Sequence, residues 1–245
     1  MFKPQLPQQE QGFTLVEVLI AILITTIFVT IAMQAMVIAA VFKARAKQFS
    51  EATTWIQQDI ENVKFQAGQL KYTQLTADTS GIKVLPVSSV TGFANGDTLR
   101  VGTNTTDYTI SSIDPSASTI TINTALSGTQ LNGATVVATN PCKATSSTAG
   151  FGQSLKQHLS TVPVPSDTSN SGTPDSGTRT ITGKSYTLTR SRDIGGTEAV
   201  SGTCTSNACY ELLKLTYEVK QGSESPIATM YTEVLPNAAL QCPQQ

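Results

Sequence analysis

The chain begins with a long apolar run that contains no helix breaker. Residues 13–67 include neither glycine nor proline, the two residues that most disfavour a helix interior. Within this run, residues 18–42 carry no formal charge, and about 20 apolar residues suffice to cross the hydrocarbon core of a bilayer. The pattern predicts a single helix over residues 13–67, with a membrane span at about 18–42.

Beyond the span, residues 43–67 have an amphipathic pattern, with apolar residues at steps of three and four. We interpret this part as a stalk whose apolar face is covered by a domain later in the chain. Trp55 lies beside that face, which favours packing over ligand contact. The apolar face comprises Phe49, Ala52, Ile56, Ile60, Val63 and Ala67, and the polar residues placed opposite are Gln48, Glu51, Gln57, Asp59 and Glu61.

After the helix the period changes to the alternation that is typical of half-buried strands. In residues 213–219, for example, leucine, tyrosine and valine alternate with lysine, threonine and glutamate. We interpret residues 68–245 as a β-rich head with an inserted β unit at about 82–139 and C-terminal strands at about 181–240. Residues 140–180 hold fifteen serines or threonines, a composition typical of loops. The fold class is therefore α+β, a long N-terminal transmembrane helix followed by a β-rich head.

Four cysteines lie in the head, at Cys142, Cys204, Cys209 and Cys242. An even count outside a membrane segment favours two disulfides, whereas a zinc site would need two close pairs. Free buried thiols are the other alternative. Four cysteines allow three pairings, and the sequence does not choose among them. Disulfides would place the head outside the cytoplasm.

Composition argues against several functions. The formal net charge is −1 and aromatic residues make up 6%, which excludes an electrostatically driven nucleic-acid binder with stacking platforms. His158 is the only histidine, and we expect it at the surface. The loop that starts at Asp167 lacks the acidic residues that calcium requires. No nucleophile, acid pair or metal cluster can be assembled, so we expect no enzyme, no cofactor and no metal.

The start of the apolar run carries a specific motif. In the sequence GFTLVE at residues 12–17, glycine precedes phenylalanine, a glutamate follows four residues later, and the apolar helix continues without interruption. Over about residues 9–42 this segment closely resembles the cleavage and methylation region of type IV prepilins and type II secretion pseudopilins.

The resemblance implies a processing pathway and a set of partners. Residues 1–12 would be a leader that stays in the cytoplasm and is removed by prepilin peptidase between Gly12 and Phe13. Phe13 would then be N-methylated, and its amino group would pair with Glu17 of a neighbouring subunit. The expected partners are prepilin peptidase, other pilin or pseudopilin subunits and inner-membrane lipid, with the head outside the cytoplasm and later in a pilus or pseudopilus.

Some residues depart from the family pattern. The leader has Glu10 close to the cut and is less basic than family leaders usually are, and Gln34 stands near where major pilins often carry a kinking proline. With the large head, these departures favour a minor subunit. Lys43, Arg45 and Lys47 follow the span, and the positive-inside rule alone would put the head in the cytoplasm. We give more weight to the motif at residues 12–17.

The sequence thus predicts a structural minor pilin or pseudopilin subunit. Two alternatives stay open: an adhesin displayed at a tip on a pilin stalk, and a plain single-span membrane-anchored β-domain protein. Glu17 also has a second interpretation, because Thr14 and Glu17 fit a capping box at the start of a helix. A carboxylate at the edge of an apolar span is nevertheless functional by default.

Overall fold

The computed structural model describes residues 14–144, 149–167, 172–194 and 212–242, and the chain divides into two compact units, Met1–Gln48 and Phe49–Gln245. Helix α1, Leu15–Gln69, begins in the first unit and ends in the second. The prediction of a long N-terminal helix followed by a β-rich head is confirmed.

In the described part of the first unit, residues 14–48, the helix is mostly apolar and none of its residues is buried. Among the described residues α1 is the one helix long and apolar enough to cross a membrane, and none of its most apolar 18-residue window is buried. Three hydroxyls inside this segment donate to carbonyls of their own helix, which satisfies them without water. These bonds are Thr25 to Ala21 (2.7 Å), Thr26 to Leu23 (2.8 Å) and Thr30 to Thr26 (2.8 Å).

In the second unit, the last part of α1 buries one face in the head. The predicted apolar face is confirmed for five of its six members, whereas Phe49 is 58% exposed. Trp55 is fully buried, as its packing interpretation requires, and its indole Nε1 donates to the carbonyl of Pro165 at 2.7 Å. The assignment of Asp59 to the polar face is wrong, since this residue is fully buried. The buried residues of α1 are Ala52, Trp55, Ile56, Asp59, Ile60, Val63 and Ala67.

An antiparallel four-stranded sheet of order β12-β11-β10-β9 shares its core with α1 and α2. The expectation of a loop throughout residues 140–180 is wrong where α2 forms. The apolar residues Phe151 and Leu155 stand four apart, so a single helical turn buries both, and this offsets the weak helix propensity around them. The elements are α2 (Phe151–His158), β9 (Ser176–Ile181), β10 (Lys184–Ile194), β11 (Leu213–Lys220) and β12 (Ala228–Val234).

Strands β1 to β8 form a second β structure with its own core. A six-stranded sheet of order β1-β8-β4-β5-β6-β3 is antiparallel throughout, and a bridge between Leu75 and Val87 joins its two edges, so the sheet closes into a small barrel. Strands β2 and β7 pair separately. The bounds are β1 (Tyr72–Gln74), β2 (Thr79–Ser80), β3 (Val84–Pro86), β4 (Thr98–Val101), β5 (Tyr108–Asp114), β6 (Thr119–Ile122), β7 (Thr129–Gln130) and β8 (Thr135–Ala138).

An ion pair and a disulfide involve residues that flank the barrel strands in sequence. Buried Lys71, two residues after the end of α1, donates through Nζ to Asp97 Oδ2 at 2.7 Å, and Asn140 Nδ2 donates to Asp97 Oδ1 at 2.9 Å. After β8, Cys142 forms a disulfide with Cys242 near the C-terminus. Of the three pairings that the sequence left open, the structure thus has the one that joins these two; Cys204 and Cys209 lie outside the described residues.

Removing this disulfide should destabilise the head. It closes a loop across a sequence separation of 100 residues, and in the chain-entropy description long loops gain the most from a cross-link. We expect the double variant Cys142→Ser/Cys242→Ser to lose about 2–4 kcal/mol of unfolding free energy. Urea denaturation of residues 49–245 measures the loss. An unchanged urea midpoint would contradict a stabilising role for the bond.

Candidate functional site

The start of α1 is organised by Thr14. Its carbonyl accepts hydrogen bonds from the amides of Glu17 (3.0 Å) and Val18 (3.2 Å), and its hydroxyl Oγ1 accepts a second one from the Glu17 amide at 3.3 Å. A threonine that accepts from the third residue after it is an N-cap, which explains why the helix begins at Leu15. Gly12 and Phe13, the predicted cleavage and methylation residues, lie outside the described residues.

The Glu17 side chain is exposed at the start of α1. It forms no hydrogen bond or ion pair with any residue that the structure describes, so the reciprocal half of a capping box, from Glu17 back to the amide of Thr14, is not formed. Its neighbours Leu15 and Val18 are exposed apolar residues. A negative charge in the first turn complements the helix dipole, worth about 0.3–1 kcal/mol. The side chain is thus available to a cation outside its own helix.

The surface beyond Glu17 is almost entirely apolar. Large apolar side chains from Leu19 to Phe42 are about half to three-quarters exposed around the whole helix. An apolar surface of this extent needs lipid or other helices to cover it. Gln34 is the one polar side chain of residues 18–42 that is not bonded to the backbone of its own helix.

The head contains a second polar cluster, an ion pair at the centre of its core. Arg190 on β10 and Asp59 on α1 are almost completely buried, and guanidinium Nη1 lies 3.0 Å and 3.1 Å from the two carboxylate oxygens. The second nitrogen, Nη2, donates to the carbonyls of Val162 at 2.8 Å and of Pro174. One arginine therefore connects the helix, the sheet and the segment between α2 and β9.

Burial governs the protonation of this cluster. It raises the pKa of the Asp59 carboxyl, a shift that the Arg190 guanidinium opposes. Within the part of the chain that the structure describes, the hydroxyl of Tyr217 on β11 has no hydrogen-bond partner, and burial together with the nearby Asp59 raises the pKa of the tyrosine well above its ordinary value. Asp59 and Arg190 pair with each other inside the core, which fits a structural role.

Asp59 is the residue that sequence reasoning misplaced, and its spacing held the signal. It stands three residues after Ile56 and four before Val63, so it falls within the buried face that those residues define. A carboxylate at such a position must pair with a buried cation. The partner lies 131 residues further along the chain, a separation that no local pattern can bridge.

His158, which we expected at the surface, is partly exposed and also contacts α1. It is half-buried at the end of α2, its Nε2 lies 2.9 Å from Gln66 Oε1, and burial lowers its pKa. Among the described residues no three histidine, cysteine, aspartate or glutamate side chains are placed to hold a metal ion.

Comparison with known proteins identifies the N-terminal segment. Residues 7–33 match the family model described as the prokaryotic N-terminal methylation motif. This range contains the predicted leader junction, Glu17 and residues 18–33 of the predicted membrane span, and it confirms the resemblance that the motif at residues 12–17 suggested. No curated protein and no solved structure matches the chain.

Proposed function

We propose that this membrane-anchored, single-pass protein, whose N-terminal segment is that of the type IV prepilin and pseudopilin family, is a structural filament subunit. Prepilin peptidase removes residues 1–12, Phe13 is N-methylated, and α1 passes from the inner membrane into the core of a type IV pilus or a type II secretion pseudopilus. The motif points to a structural protein and not to an enzyme.

One observation carries this proposal: inside the matched motif, a carboxylate that pairs with none of the described residues stands at the start of an exposed apolar helix. Glu17 has no partner among the described residues, and the apolar segment after it has no cover. Lipid covers such a surface before assembly, and neighbouring helices cover it afterwards. In the filament, the new amino group of Phe13 in one subunit supplies the cation that Glu17 of the next subunit lacks.

The barrel supports a minor role in the filament. Strands β1 to β8 add a closed unit with a core of its own to a head that already has a four-stranded sheet. A repeating shaft subunit must pack identical neighbours on all sides, so additional bulk is easier to place in a minor or tip subunit. The Cys142–Cys242 disulfide supports a head outside the cytoplasm, where such bonds persist.

Replacing Gly12 tests the processing step. We expect Gly12→Trp to leave full-length precursor in the membrane. The substitution puts a bulky side chain immediately before the cut, where it would hinder the peptidase. A blot of membranes, with Gln11→Leu as the matched control, distinguishes the two chain lengths. Loss of the leader from Gly12→Trp, as from the control, would contradict cleavage at this junction.

The adhesin alternative has an observation of its own. The barrel exposes Ser111 and Ser112 on β5 and further serine and threonine side chains on the turns between its strands, and such hydroxyls can both donate and accept hydrogen bonds to a sugar. Binding of residues 49–245 to glycans or cells would favour a displayed binding module. A plain membrane-anchored protein would instead retain residues 1–12 and never enter a filament.

A further inference from the structure

The apolar segment of α1 contains one polar side chain that its own helix does not satisfy. Within residues 18–42, the hydroxyls of Thr25, Thr26 and Thr30 all donate to backbone carbonyls. The Gln34 amide is exposed and forms no hydrogen bond with any described residue. In hydrocarbon an amide without partners costs several kcal/mol by transfer measurements, so this side chain favours any contact that supplies both a donor and an acceptor.

Gln34 lies in a row of exposed residues that repeats every seven positions. Ile20, Ile27 and Val41 stand at the other places of this row, and all are about half exposed. In parallel coiled coils, a single polar residue within a row of apolar residues at one heptad position fixes the register of the helices. The row therefore presents a seam with the amide as its register-setting contact.

We propose that Gln34 forms an amide-to-amide hydrogen bond between two copies of this chain, which pair in parallel in the membrane before filament assembly. A second copy is the occupant because its Gln34 lies at the same depth when both chains enter the bilayer in the same direction. A carboxamide both donates and accepts, so two of them satisfy each other. This inference rests on the proposed function, which inserts every copy in one orientation.

The pairing leaves Glu17 available for the filament. At about 100° per residue, Glu17 lies roughly 100° around the helix from Gln34. The two side chains therefore face different neighbouring helices. A pair joined through Gln34 can therefore deliver subunits to the filament without occupying the carboxylate that Phe13 of the next subunit needs.

Cysteine cross-linking of the full chain tests the inference in cells that lack the filament-assembly machinery. Val41→Cys places a thiol about 20° from Gln34 on the same face, and Ala39→Cys places one about 140° away. We expect oxidant to give a dimer band with Val41→Cys that exceeds both the Ala39→Cys band and that of the unmodified chain, whose four head cysteines set the background.

Variants of Gln34 in the Val41→Cys chain identify the contact. Loss of one interhelical hydrogen bond between side chains lowers the association constant of two membrane helices by roughly three- to thirty-fold. We expect Gln34→Leu to weaken the dimer band within that range and Gln34→Asn to retain most of it. Thr25→Val, which removes a polar group on the opposite face, should change nothing.

The outcomes separate this inference from the proposed function. Equal bands from Val41→Cys and Ala39→Cys, or a band that Gln34→Leu leaves intact, would overturn the inference. The same blot reports whether residues 1–12 have been removed, which tests the proposed function independently. A dimer band that depends on Gln34 supports the inference in processed and unprocessed chains alike.

Discussion

Replacing Glu17 with valine should abolish recovery of this protein in filaments while membrane insertion and leader removal continue. Valine matches the apolar residues around it, so the helix still enters the bilayer. The filament then lacks the carboxylate that pairs with the amino group of Phe13 in the neighbouring subunit. Removing one partner of a buried pair leaves the other charge uncompensated, at a cost of about 3–5 kcal/mol. Shearing filaments from cells and blotting for this subunit measures the effect.

Glu17→Gln is the matched control for this prediction, because it keeps the shape and removes the charge. Loss of a helix cap costs only about 1 kcal/mol of stability. The Glu17 carboxylate does not bond to the amide of Thr14, so Glu17→Gln removes no capping hydrogen bond. We therefore expect Glu17→Gln to assemble poorly as well. Normal recovery of the Glu17→Val subunit would mean that the carboxylate has no part in assembly.

Replacing Arg190 with methionine should destabilise the head severely. The substitution leaves Asp59 as a buried unpaired carboxylate and deprives the carbonyls of Val162 and Pro174 of a donor. Breaking a buried pair from one side costs about 3–5 kcal/mol, a large share of the 5–15 kcal/mol that a domain has in total. Urea denaturation of residues 49–245 measures the loss, and proteolysis in cells reports its consequence.

Arg192, two residues along β10, provides the matched control. It donates to the carbonyl of Lys156 at 2.8 Å and pairs with Asp175, whose side chain is 54% exposed and stays hydrated when the pair is lost. We expect Arg192→Met to cost about 1 kcal/mol, as for an ordinary hydrogen bond. Equal losses of unfolding free energy from the two variants would show that burial does not make the Asp59–Arg190 pair more important for stability than an exposed pair.

The sequence predicted the elements whose signals are local. The absence of glycine and proline over residues 13–67 located a helix that the structure places at Leu15–Gln69. Alternation at residues 213–219 located β11, because a strand with one buried face repeats every two residues. The motif at residues 12–17 pointed to the methylation family because it combines three residue types at fixed spacing.

The sequence could not predict what depends on distant partners. Strand β1 pairs with β8, more than sixty residues away, and the bridge between Leu75 and Val87 that closes the barrel has no signature of its own. Asp59 was misplaced because a carboxylate on an amphipathic helix is expected on the solvent-exposed face. Only knowledge of the distant Arg190 would have placed it in the core. The sequence did not distinguish the pairing that contains Cys142–Cys242 from the two other pairings, because the contact of these two cysteines depends on the fold.

The intact mass of the protein extracted from membranes tests the central claim most directly. The proposed processing predicts a chain that begins at Phe13, with residues 1–12 absent and one methyl group on the new amino terminus. N-terminal fragmentation of the same sample locates the methyl group on Phe13. A protein that still begins at Met1, or one cut after Ala46 as by a signal peptidase, would contradict the assignment to a pilin-type pathway.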